Sequence, residues 1–267
     1  MPWVAVKRLG AFAALTLCFG GVARADDAAT PEPPGDAGWC YDGDGIESLA
    51  PDMCHFSPQL PSGASPDTLV VFLHGVTKVG TNWQHSGQRA IVRAARAHGF
   101  SVIMPRGPLG AGSERFADHY NWPTSVRGQT ELEAGVLEKW SDARGALEER
   151  NGQPFRQQFV FGFSAGAYYG ASLLLRGRVP VQGYAVFAGG GAPAGVERWA
   201  RGTQPKVPIY VGYGRKDRAW RDPERLGHAL ARMRWPARVV MRPRVGHSMT
   251  DAQVREAIEF LRKHSQR

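Results

Sequence analysis

Six short apolar runs between residues 69 and 241 constrain the fold more than any other feature of this chain. The runs are Leu69–Leu73, Ser101–Met104, Gln158–Gly162, Gly183–Ala188, Pro208–Gly212 and Ala237–Met241. They are rich in Val, Ile and Phe and show no strict polar–apolar alternation, which is typical of strands covered on both faces. Helical segments lie between them. The pattern therefore predicts an α/β fold with a mostly parallel central sheet.

Three residue pairs predict where helices begin. They are Thr130 with Glu133, Asp222 with Pro223, and Thr250 with Gln253. The first and third are capping boxes, in which two side chains satisfy free N–H groups of the first turn. The second is an N-cap followed by proline at the first helical position. Asn151-Gly152 is predicted to end the helix that the first pair opens.

The stretch Gly162-Phe163-Ser164-Ala165-Gly166 follows a predicted strand and precedes a helix-compatible segment. This is G-x-S-x-G in the strand–turn–helix context that exposes the serine at the top of the sheet on a sharp turn. Small residues are needed two positions before and after the serine, because the helix must pass close to the strand. We therefore predict that Ser164 is a nucleophile.

A serine hydroxyl needs a base to take its proton, and the base needs an acid to orient it. Asp217 lies in the loop after the fifth run, and His247 follows the sixth. We predict these two residues as acid and base, in the chain order Ser, Asp, His. Asp222 is the alternative acid, although its N-cap position already gives it a structural role. His74, at the end of the first run, is predicted to shape the oxyanion turn rather than to act as a base.

Acyl transfer also needs two backbone N–H groups that point at the oxyanion of the tetrahedral intermediate. We predict the N–H of Ala165, directly after the nucleophile, and that of Val76, in the loop after the first run. This chemistry requires no cofactor. No spacing of His, Cys, Asp and Glu resembles a metal site, so we predict no metal.

Four stretches resemble those of α/β-hydrolase serine esterases. They are Val70–Gly75, Gly162–Gly166, Gly214–Asp217 and Gly246–Ser248. Their spacing is similar to that of the small phospholipase/carboxylesterase-like branch and of the secreted polyester-depolymerase/feruloyl-esterase-like branch. The resemblance implies an α/β-hydrolase fold with helices on both faces of the sheet, and hydrolysis of carboxylic esters. The segment that holds Cys40 and Cys54 matches neither branch.

The substrate pocket is predicted to be open. About twenty residues separate the fourth run from Pro208, too few for a helical lid. The expected walls are Arg106–Gly128 and Gly189–Thr203, and the aromatic candidates for the lining are Tyr120, Trp122, Trp199 and Trp220. Ordinary packing is an equally good interpretation of these aromatic residues. The basic residues Arg106, Arg115, Arg127, Arg215, Lys216 and Arg218 fit either a rim that attracts anions or, more simply, a solvated face.

The N-terminus predicts export. Basic residues precede the apolar segment Leu9–Val22, and an A-x-A cleavage signal ends at Ala25. The segment is too short to span a membrane, which needs about 20 residues. We predict a signal peptide at residues 1–25, a flexible leader at 26–38 and one α/β-hydrolase domain at 39–267. The protein is expected to be secreted or periplasmic, without stable membrane insertion.

Cleavage leaves Cys40 and Cys54 as the cysteines of the mature chain. An oxidising compartment favours a disulfide between them. We predict that Asp42–Gly45 forms a turn between two short strands that this disulfide joins.

The charge and the motifs of the sequence argue against a nucleic-acid-binding protein and favour an ester substrate. The signal peptide removes three basic residues, so 30 basic and 24 acidic residues remain, a net charge of +6 without long blocks of like charge. The sequence shows neither a basic stripe nor a nucleic-acid recognition motif, so we predict no nucleic-acid partner. The predicted substrate is a small-molecule or polymer-derived ester with a short or aromatic acyl group. The alternatives are a polyester-fragment depolymerase, a serine peptidase or acyltransferase, and a non-catalytic binding protein on the same fold.

Overall fold

The computed structural model describes residues 38–61, 63–112, 114–192 and 195–265. Of the helical residue Trp199 it describes the backbone and not the side chain. The predicted signal peptide, and the predicted leader up to residue 37, lie outside the described residues.

The strands are β1 (Glu47–Ala50), β2 (Met53–Phe56), β3 (Thr68–Leu73), β4 (Thr77–Lys78), β5 (Ser101–Pro105), β6 (His119–Tyr120), β7 (Gln157–Phe163), β8 (Gly183–Phe187), β9 (Ile209–Gly214) and β10 (Ala237–Arg242). The helices are α1 (Trp83–His98), α2 (Val126–Asn151), α3 (Ala165–Arg176), α4 (Val196–Ala200), α5 (Arg221–Arg232) and α6 (Asp251–His264). A 3₁₀ turn covers Glu114–Phe116.

Eight of these strands form one sheet in the order β1-β2-β5-β3-β7-β8-β9-β10. The six strands from β5 to β10 in this order are parallel, and β2 and β1 add an antiparallel edge. Strands β3, β5, β8 and β9 are buried along their whole length. This explains their unbroken apolar runs and confirms the predicted mostly parallel sheet.

Helices cover both faces of the sheet. Helices α1 and α6 pack on one face through residues such as Ile91 and Ile258. Helices α2, α3 and α5 pack on the other through residues such as Trp140, Leu173 and Leu230. The hydrophobic core therefore lies in two layers, and the carboxyl ends of the parallel strands meet at one edge.

Cys40 and Cys54 form a disulfide with their Cα atoms 5.5 Å apart, which ties the N-terminal segment to β2. The position of the predicted turn was wrong. Asp42–Gly45 precedes both strands, whereas Pro51 and Asp52 connect β1 to β2. Asp-Gly pairs favour turns wherever the chain reverses, so composition alone does not show which two elements they join.

Two of the three predicted helix starts were wrong. Helix α2 begins at Val126, where the Ser125 hydroxyl accepts a hydrogen bond from Gly128 N–H. Thr130 lies inside this helix and donates to the Val126 carbonyl. Asp222 lies in the first turn of α5, whose N-cap residue is Trp220. The capping box at the start of α6 and the end of α2 at Gly152 are confirmed.

Candidate active site

Ser164 lies between the last residue of β7 and the first residue of α3. Its φ of 52° and ψ of −116° are strained values for a residue with a side chain. The Ser164 N–H donates to the Phe187 carbonyl of the adjacent strand at 2.9 Å. Two residues further on, the Gly166 N–H donates to the His74 carbonyl at 3.0 Å. These bonds hold the turn in a conformation that is unfavourable by itself.

Glycine is required on both sides of this turn. A Cβ at Gly162 would lie 2.3 Å from the Gly166 carbonyl oxygen, and a Cβ at Gly166 would lie 2.2 Å from that of Leu73. Real Cβ atoms do not approach backbone oxygens this closely. The small residues of the motif are therefore explained by the passage of α3 over β7 and β3.

Ser164, His247 and Asp217 form one hydrogen-bonded chain. The distance from Ser164 Oγ to His247 Nε2 is 2.9 Å, and that from His247 Nδ1 to Asp217 Oδ2 is 2.7 Å. The Asp217 side chain is 4% exposed and its other oxygen accepts from Ala219 N–H, whereas the His247 side chain is half exposed. A buried, doubly bonded carboxylate thus orients an imidazole that substrate can reach.

Asp222, the alternative acid, contacts other groups. Its carboxylate accepts a hydrogen bond from the Tyr168 hydroxyl at 2.6 Å and one from Arg225 at 3.3 Å. Burial and this carboxylate together raise the pKa of Tyr168. The structure therefore places Asp217, and not Asp222, against His247.

His74 is buried next to the turn that carries Ser164. It is 4% exposed and packs between the rings of Trp39 and Trp122, with both ring centroids 4.8 Å away. Its Nε2 accepts from Gly107 N–H at 2.9 Å, so its proton lies on Nδ1, which donates to the Gly75 carbonyl. Burial lowers the pKa of His74 to about 4. A neutral ring so enclosed is structural.

A cleft of about 220 Å³ opens beside Ser164 and His247. It is lined by Phe72, His74, Gly75, Val76, Thr77, Trp83, Gln84, Ser86, Gly87 and Phe163. Val76 and Ser164 thus line the same cleft, and Ala165 begins α3 next to Ser164. Within the described residues, no backbone carbonyl accepts from the N–H of Ala165.

One of the four aromatic residues predicted to line the pocket, Trp122, was wrong. Trp122 is fully buried, stacked on Tyr169, and donates its indole N–H to the His74 carbonyl, so it belongs to the core. Tyr120 lies on β6 against Arg106, in a separate depression, and Trp220 lies under the Arg215 guanidinium. The side chain of Trp199 lies outside the described residues.

The predicted walls line a different surface. Residues from 124–129 and 191–192 border a groove along α3, with Tyr168 and Arg176. The cleft beside Ser164 is instead walled by the loop after β3 and by the start of α1. Trp83, which is 55% exposed, was missed. It is the first residue of α1, a few residues after Val76, and this closeness in sequence was the signal that pointed to it.

Across residues 38–265, apart from the short gaps, no three His, Cys, Asp or Glu side chains are grouped so that they can hold a metal ion. In the same part of the chain, no helix is both long and apolar enough to cross a membrane.

The sheet order, the helices on both faces and the serine turn after β7 define an α/β-hydrolase fold. Solved structures share it. The chain superposes on the esterase PE8 with a TM-score of 0.56 and 20% identity, over 79% of this chain and 97% of that one. Arabidopsis thaliana SOBER1 gives a TM-score of 0.53 and 18% identity, over 74% and 98%.

The Staphylococcus aureus fluorophosphonate-binding serine hydrolase FphF gives a TM-score of 0.54 and 14% identity, over 78% and 91% of the two chains. No protein-family model and no curated protein matches the sequence. At these identities the structural likeness establishes the fold.

Proposed function

We propose that this protein is a secreted serine esterase that hydrolyses carboxylic esters through an acyl-enzyme. The observation that carries the proposal is the chain of hydrogen bonds from Ser164 through His247 to Asp217. It stands at the carboxyl ends of the parallel strands, where open α/β sheets bind their ligands. The fold shared with an esterase and a serine hydrolase is consistent with this activity.

The proposed reaction follows from the roles of the three side chains. His247 Nε2 takes the proton of Ser164 as its oxygen attacks the ester carbonyl, and it then gives that proton to the departing alcohol. Asp217 holds His247 in the required tautomer and stabilises the imidazolium. A water molecule, activated by the same histidine, then releases the acid and restores Ser164.

The oxyanion is proposed to lie between Val76 N–H and Ala165 N–H. Gly75 lets the two segments approach, because a Cβ there would lie 3.2 Å from the Ser164 Cβ. The start of α3 adds the positive end of a helix dipole on the same side of the reacting carbonyl.

Short or aromatic acyl esters are the proposed substrates. The cleft is small and largely apolar, and the exposed Trp83 ring stands at its edge. Between β8 and β9 the described residues include one helix, α4, of five residues. We therefore expect no interfacial activation and falling rates on long acyl chains, measured with p-nitrophenyl esters below and above their micelle thresholds.

The test of the mechanism is a set of single variants assayed by fluorophosphonate labelling and ester hydrolysis. Ser164→Ala is expected to abolish labelling and to lower kcat by about 10⁶, and His247→Ala to cost about as much. Asp217→Asn should cost about 10⁴, because it disturbs the tautomer of His247.

Asp222→Asn is the matched control, since it makes the same change in an acid five residues away that does not touch His247. Its rate should stay close to that of the wild type. Full esterase activity in Ser164→Ala would refute the mechanism, whereas a crippled Asp222→Asn beside an active Asp217→Asn would refute the choice of acid.

A further inference from the structure

The two loops that hold Asp217 and His247 also present exposed cations. Residues 215–220 connect β9 to α5, and residues 243–250 connect β10 to α6. The exposed cations at these positions and at the first residue of α5 are Arg215, Lys216, Arg218, Arg221 and Arg244. We call these five residues the cationic rim.

Within the part of the chain that the structure describes, no carboxylate forms an ion pair with the rim. Three nearby acids are engaged elsewhere: Asp217 with His247, Asp222 with Arg225, and Glu256 with Arg238 and Arg242. Glu224, in the first turn of α5, pairs with none of the five rim residues. Segments 214–225 and 242–249 hold seven basic and three acidic residues, a net charge of +4 with neutral histidine, which Glu256 lowers to +3.

The other basic candidates from the sequence lie outside these two loops. Arg127 pairs with Glu131 at 2.9 Å, and Arg115 lies over the Phe116 ring at 4.5 Å. Arg106 lies 4.5 Å from the centre of the Tyr120 ring. What sets the rim apart is its position on two adjoining loops, because Arg215 and Arg221 also face an aromatic ring, that of Trp220, and keep their charge there.

The rim has a defined position. Arg215 N–H donates to the Arg242 carbonyl and Lys216 N–H to the Val245 carbonyl, both at 2.9 Å, so the two loops lie side by side. The Arg215 guanidinium lies 3.3 Å from the centre of the Trp220 ring, which limits its movement. The apolar cleft extends from Ser164 toward α1, whereas the positive charge lies on the loops after β9 and β10.

We propose that the cationic rim selects esters that carry a second, negatively charged group, such as a carboxylate. This inference rests on the proposed esterase function and adds the substrate class. One sign of charge beside a cleft raises the local concentration of oppositely charged substrate and its rate of encounter by about 10–10³. The effect weakens with salt, because the Debye length falls from about 30 Å at 0.01 M to about 3 Å at 1 M.

The test compares two esters of the same size, 4-acetoxybenzoate, which is an anion, and 4-acetoxybenzamide, which is neutral. Each kcat/KM is divided by the alkaline hydrolysis rate of that ester, which removes the difference in leaving-group reactivity. At low ionic strength the normalised ratio of anion to neutral ester is expected to be about 10. It should fall toward 1 at 0.5 M salt.

The rim variant is Lys216→Glu/Arg218→Glu. Its control is Arg156→Glu/Lys263→Glu, which makes the same charge change at two exposed residues, one before β7 and one in the last turn of α6, at the opposite edge of the sheet. The rim variant should lower the ratio of anionic to neutral ester at least 10-fold, whereas the control should change neither this ratio nor the rate on the neutral ester. If the charge-reversal variant does not fold, the neutral variant Lys216→Gln/Arg218→Gln should lower the same ratio by a smaller factor.

A ratio near 1 in the wild type, a ratio that ignores salt, or an equal loss on both esters in the rim variant would overturn the rim inference. Hydrolysis of the neutral ester in these cases leaves the esterase function standing. If neither ester is hydrolysed and Ser164 is not labelled by a fluorophosphonate, the esterase function fails and the rim inference fails with it.

Discussion

The buried, neutral His74 is expected to destabilise the fold in mild acid. In the folded chain its Nε2 accepts from Gly107 N–H, and an added proton there would break this bond inside a closed aromatic site. Burial accordingly lowers the pKa of His74 to about 4, whereas an unfolded histidine titrates near 6.5. The unfolded chain therefore binds a proton between these two values that the folded chain does not bind.

The sign and size follow from this difference. Because the unfolded state binds more protons in acid, the free energy of unfolding falls as the pH falls below about 6.5. One pKa unit corresponds to about 1.36 kcal/mol, so His74 should remove about 2 kcal/mol between pH 7 and pH 5, and about 3 kcal/mol by pH 4. This is a large share of the roughly 5–15 kcal/mol that is usual for the free energy of unfolding of a domain.

Urea unfolding of wild type and His74→Gln at several pH values measures the effect. The variant should be less stable at pH 7, because glutamine replaces only part of the hydrogen bonding, but its stability should fall less steeply with acid. The difference between the two proteins should shrink by about 2 kcal/mol from pH 7 to pH 5. Parallel pH profiles, or an NMR titration of the His74 ring near 6.5, would refute the reasoning.

Two further predictions concern the fold. Glu133→Gln should lower the free energy of unfolding by about 3 kcal/mol, because the 2% exposed carboxylate binds Arg176 at 2.5 Å and Arg178 at 2.8 Å. A denaturant titration measures this loss, and a loss under about 1 kcal/mol would contradict the prediction. Cys40→Ser/Cys54→Ser should cost about 3 kcal/mol for a disulfide that spans 14 residues, and an unchanged urea midpoint would exclude that contribution.

The strands and the serine turn were predictable because local sequence dictates them. Each predicted run matches an observed strand within two residues at either end. The expected cover on both faces was wrong for the sixth run, because β10 is the edge strand and leaves Val239 and Met241 exposed. Glycine is required at 162 and 166 because a Cβ at either position would lie 2.2–2.3 Å from a backbone oxygen. The motif therefore predicts the close approach of helix and strand. That Asp217 and His247 lie beside Ser164 was predictable, because both follow strands whose carboxyl ends meet at the same edge of the sheet.

The start of α2 was not predictable, because the glutamate that completes the apparent capping box has another role. Glu133 is buried and binds Arg176 and Arg178, which follow it by more than forty residues. Glu133 thus serves a long-range ion pair, and its position three residues after Thr130 only resembles a capping box. Burial of Glu133 raises its pKa, but the hydrogen bonds from the two arginines outweigh burial and leave that pKa lowered.

The roles of the aromatic residues near the site could not be predicted from the sequence. A large aromatic side chain fits a substrate wall and a core equally well, and its function depends on which way the backbone presents it. Trp122 is turned inward, where its indole N–H and Gly166 N–H donate to the same His74 carbonyl. Trp83 is turned outward at the first residue of α1. The first stabilises the turn that carries Ser164 and the second borders the cleft beside it, so both influence the site, and tertiary contacts alone assign them to different roles.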